Sequence, residues 1–231
     1  MTTVRGARAR ARIEITAAIK DEARTQLAAE GAAKLSLRAV ARELGMVSSA
    51  LYRYFPSRDD LLTALIVDAY DAVGAAAEQA AAEAVTDRPL DRWTAVCRAV
   101  RAWALAHPHE YALIYGSPVP GYTAPQDTVV PASRVGLVLI EIARRAHATE
   151  GVALPPLADD LRPEAVRMSA DFAPDLAPAL AVALVAAWAQ LFGLVSFEVF
   201  GQFHRVVEDR DTFFATAARR LGQDVGLLPR G

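Results

Sequence analysis

The chain has a single cysteine, Cys97, so no internal disulfide can form. It lies in WTAVCRAVRAW at a core-like helical spacing, which reads as an inert buried thiol rather than a redox sensor. Histidine is also scarce. His107 and His109 flank Pro108 without cysteine or acidic partners at ligand spacing, so helix-end roles suit them better than a metal. His147 and His204 stand alone and read as surface or interface residues. There is no glycine-rich phosphate loop, no strand-turn-helix nucleophile elbow and no zinc spacing, which argues against an enzyme and implies no cofactor. The N-terminus is arginine-rich but lacks an apolar h-region, so no signal peptide is expected and the expected compartment is the cytoplasm. Neither a repeat of fixed period nor an alternating strand pattern is present.

What is there is apolar and helical. With 231 residues, 53% of them hydrophobic, the chain is long enough for a small domain and a larger one, each folding without staples. One run, Ala179 to Phe197, carries no charge over nineteen residues and meets the length criterion for a membrane span. Its many alanines, Gln190 at mid-span and the lack of a flanking Lys/Arg cluster argue instead for a helix packed on both sides, by its own domain and by a partner subunit. A membrane-tethered protein is the weaker alternative. Charge is segregated: through Arg58 there are 11 lysines and arginines against 5 acidic residues, and beyond it 14 against 22. The basic end points to nucleic acid. Arg5, Arg8, Arg10 and Arg12 precede any acidic residue, as a cationic arm along a groove or as a solvated tail.

The most informative stretch is Leu35 to Ile66, LSLRAVARELGMVSSALYRYFPSRDDLLTALI. Ser36 can cap a helix with Leu37, Val40, Ala41 and Leu44 as its stripe, and Gly45 stops it. Ser48 reads as a second N-cap, opening a helix of barely two turns. That helix carries Ser49, Tyr52, Arg53 and Tyr54 outward with Leu51 and Phe55 toward the core. The pattern is a helix-turn-helix, whose second helix enters the major groove. Ser57 and Asp60 make a near capping box for a third helix, continued by Leu61, Leu62, Leu65, Ile66, Ala69 and Val73.

LSLRAVARELG at 35–45, ALYRYFPSRDDLL at 50–62 and a preceding helix Ile13–Glu30 closed by Gly31 resemble the tetracycline-repressor (TetR) family of transcriptional regulators. The resemblance implies an all-α homodimeric repressor that a small molecule releases from DNA. Its DNA-binding domain would span residues 1–66 and its helical effector-binding and dimerisation domain 67–231. It further implies phosphate contacts from Ser36, Tyr54 and Arg58 and groove contacts from Ser49, Tyr52 and Arg53, with Arg38 and Ser48 in the same DNA-facing set. Arg58 stands where many members have lysine. The C-terminal half is similar to a subgroup with a Trp-His-Gly signature, through RAWALAHPHEYALIYGSPVPGY at 101–122 and WAQLFGLVSFEVFGQF at 188–203, although Phe192 replaces the signature histidine.

Beyond the third helix, proline and glycine predict helices over Leu90–His107, Pro108–Tyr115, Val129–Glu150, Pro178–Phe200 and Asp211–Leu221. A loop is expected at 116–127, and short helical turns in the proline-rich stretch 155–178. Helical spacing could bring Trp103, His107, Tyr111, Tyr115, Met168, Phe172, Trp188 and Phe192 toward one interior, as the wall of a ligand pocket or as plain core. The Pro178–Phe200 and Val129–Glu150 helices are the expected contributors to a four-helix dimer interface. The partners implied are a double-stranded, palindromic DNA operator, a small-molecule effector and a second copy of the chain, with no membrane. A regulator without a small-molecule ligand, controlled by a protein partner, stays open as an alternative.

Overall fold

A computed structural model describes residues 2–84, 88–149 and 151–228, with side chains from residue 6 onward. Among the described residues the fold is all-α, with one isolated antiparallel bridge between Val152 and Leu227. The helices are α1 (Thr2–Glu30), α2 (Leu37–Glu43), α3 (Ser48–Leu51), α4 (Arg58–Glu83), α5 (Pro89–Ala106), α6 (Pro108–Tyr115), α7 (Val129–Ala148), α8 (Arg162–Phe172), α9 (Pro178–Val199) and α10 (Arg210–Asp224). Packing divides them into two compact units, residues 1–70 with 107–129, and residues 71–106 with 130–231. Helix α4 runs through both units, and α6 with the loop after it belongs to the first.

The first unit is built on a wholly apolar centre. Ile19, Ala23 and Leu27 of α1 meet Leu37, Val40 and Ala41 of α2, Leu51 of α3 and Leu61, Leu62 and Leu65 of α4. Burial of these side chains at roughly 1.5–3 kcal/mol each holds α2 and α3, two short helices that could not persist alone. The ends are capped as the sequence dictates. Ser36 Oγ accepts the Ala39 N–H at 3.4 Å, and Ser57 Oγ accepts the Asp60 N–H at 3.1 Å while its hydroxyl donates to Asp60 Oδ2 at 2.7 Å. Gly45 takes φ +64 between α2 and α3, a left-handed conformation that side chains disfavour. Leu113 of α6 and Val119 and Tyr122 of the following loop pack on the same centre, and Tyr122 shares a 2.9 Å hydroxyl bond with Thr63. Arg24 binds Asp21, Asp68 and Glu110, so α1, α4 and α6 are joined through one guanidinium.

In the second unit α10 lies tightly on α5. Gly222 permits this, because a Cβ there would come within 2.6 Å of Leu90 and 2.9 Å of Trp93. Trp93 is fully buried and its indole N–H donates to the Ala218 carbonyl at 3.0 Å. Arg101 of α5 makes a two-pronged pair with Glu198 of α9, 2.6 Å on each arm, and a third bond to Asp211 of α10. Arg134 of α7 crosses α4 directly above Gly74 and grips Asp71 and Glu78 on either side of it. Cys97 is buried as expected, and burial pushes its thiol up to about 12.

Four details depart from the sequence-based expectation. Helix α1 begins at Thr2 rather than Ile13, so the arginine-rich segment is helical and continuous with it; the Arg5 side chain lies outside the described residues. Val47, not Ser48, occupies the N-cap of α3, with no side-chain cap bond, because the turn from Gly45 already positions the backbone. The proline-rich stretch contains a full helix, α8, since Pro163 sits in its first turn, where a missing N–H costs nothing. Helix α3 ends at Leu51, so Tyr52, Arg53 and Tyr54 stand in the turn after it rather than on a helix of two turns; the expected α7 end at Glu150 lies outside the described residues.

Candidate nucleic-acid interface and cavity

Helix α3 and the turn after it present the candidate interface. Leu51 and Phe55 point into the core, which forces Ser49, Tyr52 and Arg53 outward, all exposed, with Ser48 half-buried beside them. Arg38 of α2 is exposed as well. Ser49 on α3 and Tyr52 and Arg53 in the turn after it form an open, polar face anchored from behind. Tyr54 is half-buried, and the Arg12 guanidinium lies 5.2 Å over its ring. Ser36 is half-buried, and its hydroxyl oxygen already caps α2.

Arg58 also has a structural occupation within the first unit. Its Nη2 donates to the carbonyls of Ala32 and Ala33 at 2.8 and 3.3 Å, and its Nε to that of Leu35 at 3.2 Å. The guanidinium thus ties down the α1–α2 connection. Two further residues stand at the interface without a clear signal in the sequence. Val47 is 69% exposed at the start of α3, an apolar side chain aimed outward where a serine cap is expected. Arg12 carries only the charge signal of the arm; its partner Tyr54 is too distant in sequence for spacing to reveal the stack.

The eight pocket candidates are divided between the two units, three in the first and five in the second. His107 is exposed at the α6 N-cap without a side-chain cap bond, Tyr111 is fully buried against Tyr115 at 5.2 Å, and Tyr115 meets Tyr70 edge-on at 6.0 Å, all in the first unit. Burial also raises the Tyr115 hydroxyl pKa above its usual range. Trp103, Met168, Phe172, Trp188 and Phe192 belong to the second unit. Of these only Phe172 and Trp188 line a cavity of about 190 Å³ between α7, α8 and α9. Ala132, Gly136, Leu137, Leu139, Ile140, Leu184 and Val185 complete its wall, and its single hydroxyl, Ser133, is bonded to the Val130 carbonyl. Trp188 stacks edge-on to Phe192 at 5.8 Å, while Phe192 and Trp103 are buried core.

Helix α9 is long and apolar enough to cross a membrane by length and composition, and it packs here on α5, α8 and α10. Its outer side joins α10 in a groove lined by Gln190, Gly193, Leu194, Phe197, Phe203, Phe213, Ala217 and Leu221, with Arg220 and Asp224 at one edge.

Comparison with known proteins fits this anatomy. The family model "Bacterial regulatory proteins, tetR family" matches residues 19–65, and "Tetracyclin repressor-like, C-terminal domain" matches residues 93–221. The HTH-type transcriptional regulator Rv1816 of Mycobacterium tuberculosis is 44% identical over 205 residues, 86% of either chain. The regulatory protein SCO4313 superposes with a TM-score of 0.77 at 36% identity, covering 92% of this chain and 97% of its own. RolR, solved in complex with resorcinol, shares the fold at a TM-score of 0.54 and 17% identity, covering 96% of this chain and 98% of its own. Family and relatives are transcriptional regulators rather than enzymes. An exposed helix-turn-helix face on an apolar centre, a helical C-terminal half and these matches over both parts make the chain a member of the TetR family of transcriptional regulators, with a helix-turn-helix DNA-binding domain at its N-terminal end.

Proposed function

We propose that the protein is a cytoplasmic, homodimeric repressor that a small apolar or aromatic effector releases from a palindromic operator. The observation that carries the DNA reading is the outward face of α3 and the turn after it, where Ser49, Tyr52 and Arg53 stand exposed on a segment clamped by Leu51 and Phe55. Tyr52 and Arg53 read base edges, and Val47 offers a methyl-sized contact to thymine. Ser36, Ser48, Arg38 and Tyr54 hold the backbone. Arg58 fixes the connection that sets α2 through Nε and Nη2, while Nη1, beside the exposed Asp59, keeps donors for a DNA phosphate.

An Arg53→Ala variant is expected to lose about 1–3 kcal/mol on the preferred duplex and much less on random DNA, measured by fluorescence anisotropy at fixed salt. Equal loss on both duplexes contradicts a base-reading role.

The effector site is the cavity of Phe172 and Trp188. It is a cleft of about 190 Å³ that opens to solvent past Leu137 and Trp188, a size for one ring with small substituents. Its largely apolar walls favour an uncharged ligand, since a charge laid against them would lose hydration without gaining a partner. Resorcinol, the molecule bound by RolR, is of this size class. A melting-temperature screen with single-ring phenols and hydrocarbons should find ligands whose affinity drops about ten-fold in Trp188→Ala, with DNA affinity in the absence of ligand unchanged. If no such compound raises the melting temperature, control by a protein partner becomes the better reading.

For the dimer interface we take α9 with α10 rather than with α7. Helix α7 turns Val135, Leu139, Ile142, Ala143 and Ala146 into its own unit, whereas Phe197 and Phe213 are open on the α9–α10 groove. Arg220 and Asp224 on one face make it self-complementary across a two-fold axis. Family members dimerise, and a second copy is the occupant that uses this groove.

A further inference from the structure

Helix α1 extends beyond the centre on which it packs. Its inward stripe is Ile15, Ile19, Ala23 and Leu27, and Ile19 is the first of these to be fully buried. Residues 2–14 therefore overhang by about 20 Å at 1.5 Å per residue. At 3.6 residues per turn the stripe continues into Arg12 and Arg8, both within about 40° of its line, whereas Arg10 and Glu14 fall about 160° away. The inward face thus changes from isoleucine to arginine where the apolar centre ends. Arg8 and Arg12 are exposed, and no ion pair involves either among the described residues. Two like charges at i,i+4 weaken an isolated helix, so this row gains from an anion laid against it. Arg12 fixes the direction of the row by its stack on Tyr54, at the end of the α3 segment.

We propose that the overhang of α1 is a second phosphate-binding element, in which Arg8 and Arg12 neutralise DNA phosphates outside the stretch read by α3. The proposal rests on the reading of α3 as the DNA-contacting helix. It differs from a disordered cationic tail in demanding a helical phase: the arginines on one face count, and Arg10 on the other does not.

The full-length protein decides this with the duplex that it selects from a random pool and a random duplex of equal length, titrated by anisotropy over a range of salt. An R8A/R12A variant should flatten the slope of log affinity against log salt by about 1.8, from two contacts at about 0.9 each. It should weaken both duplexes alike, so that the ratio between them is kept. R10A should leave the slope within about 0.5 of the wild type. R8K/R12K should restore it. A flattening by R10A equal to that by R8A/R12A, or no flattening by R8A/R12A, overturns the helical arm while leaving α3 intact. A wild-type protein that selects no duplex removes the α3 reading and the arm together.

Discussion

Arg101→Ala is expected to cost about 3–5 kcal/mol of stability, because it leaves Glu198 as an uncompensated charge inside the second unit. The side chains are 14% and 5% exposed, and two guanidinium arms meet the carboxylate at 2.6 Å. The Arg101 guanidinium also lies 5.1 Å over Phe214 and binds Asp211, so one residue of α5 holds α9 and α10. Chemical denaturation at fixed protein concentration measures the loss. The paired replacement Arg101→Met with Glu198→Leu should recover most of it, since an apolar pair of similar volume needs no desolvated partner. A loss below about 1 kcal/mol in the single variant would show the pair to be solvated, and the double variant would then bring no recovery.

The second large effect is expected at the α9–α10 groove. Phe197 is 55% exposed on the monomer and stacks edge-on to Phe203 at 5.8 Å, which in turn meets Phe213 at 5.5 Å. Phe197→Asp places a charge in the middle of this apolar row. The variant should sediment as a monomer at micromolar concentration and lose about 10²–10⁴-fold in affinity for the palindromic site, the avidity of the second recognition helix. Affinity for a single half-site should be unchanged. A variant that remains dimeric with full operator affinity places the interface elsewhere.

Local rules make the helix-turn-helix legible in the sequence. Ser36, Ser57, Gly45, Pro108 and Pro178 each act on their own backbone, and helix ends at these positions follow from capping, left-handed φ or the missing proline N–H. The same logic misleads at Pro163, where a proline in a proline-rich stretch suggests a break but opens α8. At the arginine-rich start the dominant signal is charge, which says nothing about the helical tendency of the alternating alanines and arginines. Packing between distant helices is out of reach of such rules. Helical spacing cannot say that α6 joins the first unit, nor that Phe172 and Trp188 line the cleft between α7, α8 and α9. Arg58 shows the same limit: its charge is evident, while the carbonyls of Ala32, Ala33 and Leu35 that occupy it come from a connection more than twenty residues away.

The central claim, that α3 reads DNA in a two-fold dimer, is tested most directly by selecting bound duplexes from a random pool with the wild-type protein and with Arg53→Ala, followed by sequencing. The wild type should enrich a two-fold symmetric site whose half-sites lie about 34–36 Å apart along the duplex or somewhat farther. Arg53→Ala should keep the spacing but relax preference at the same base pair in each half-site. Enrichment of no sequence, or of a single unrepeated half-site by a protein that is dimeric in solution, contradicts the claim.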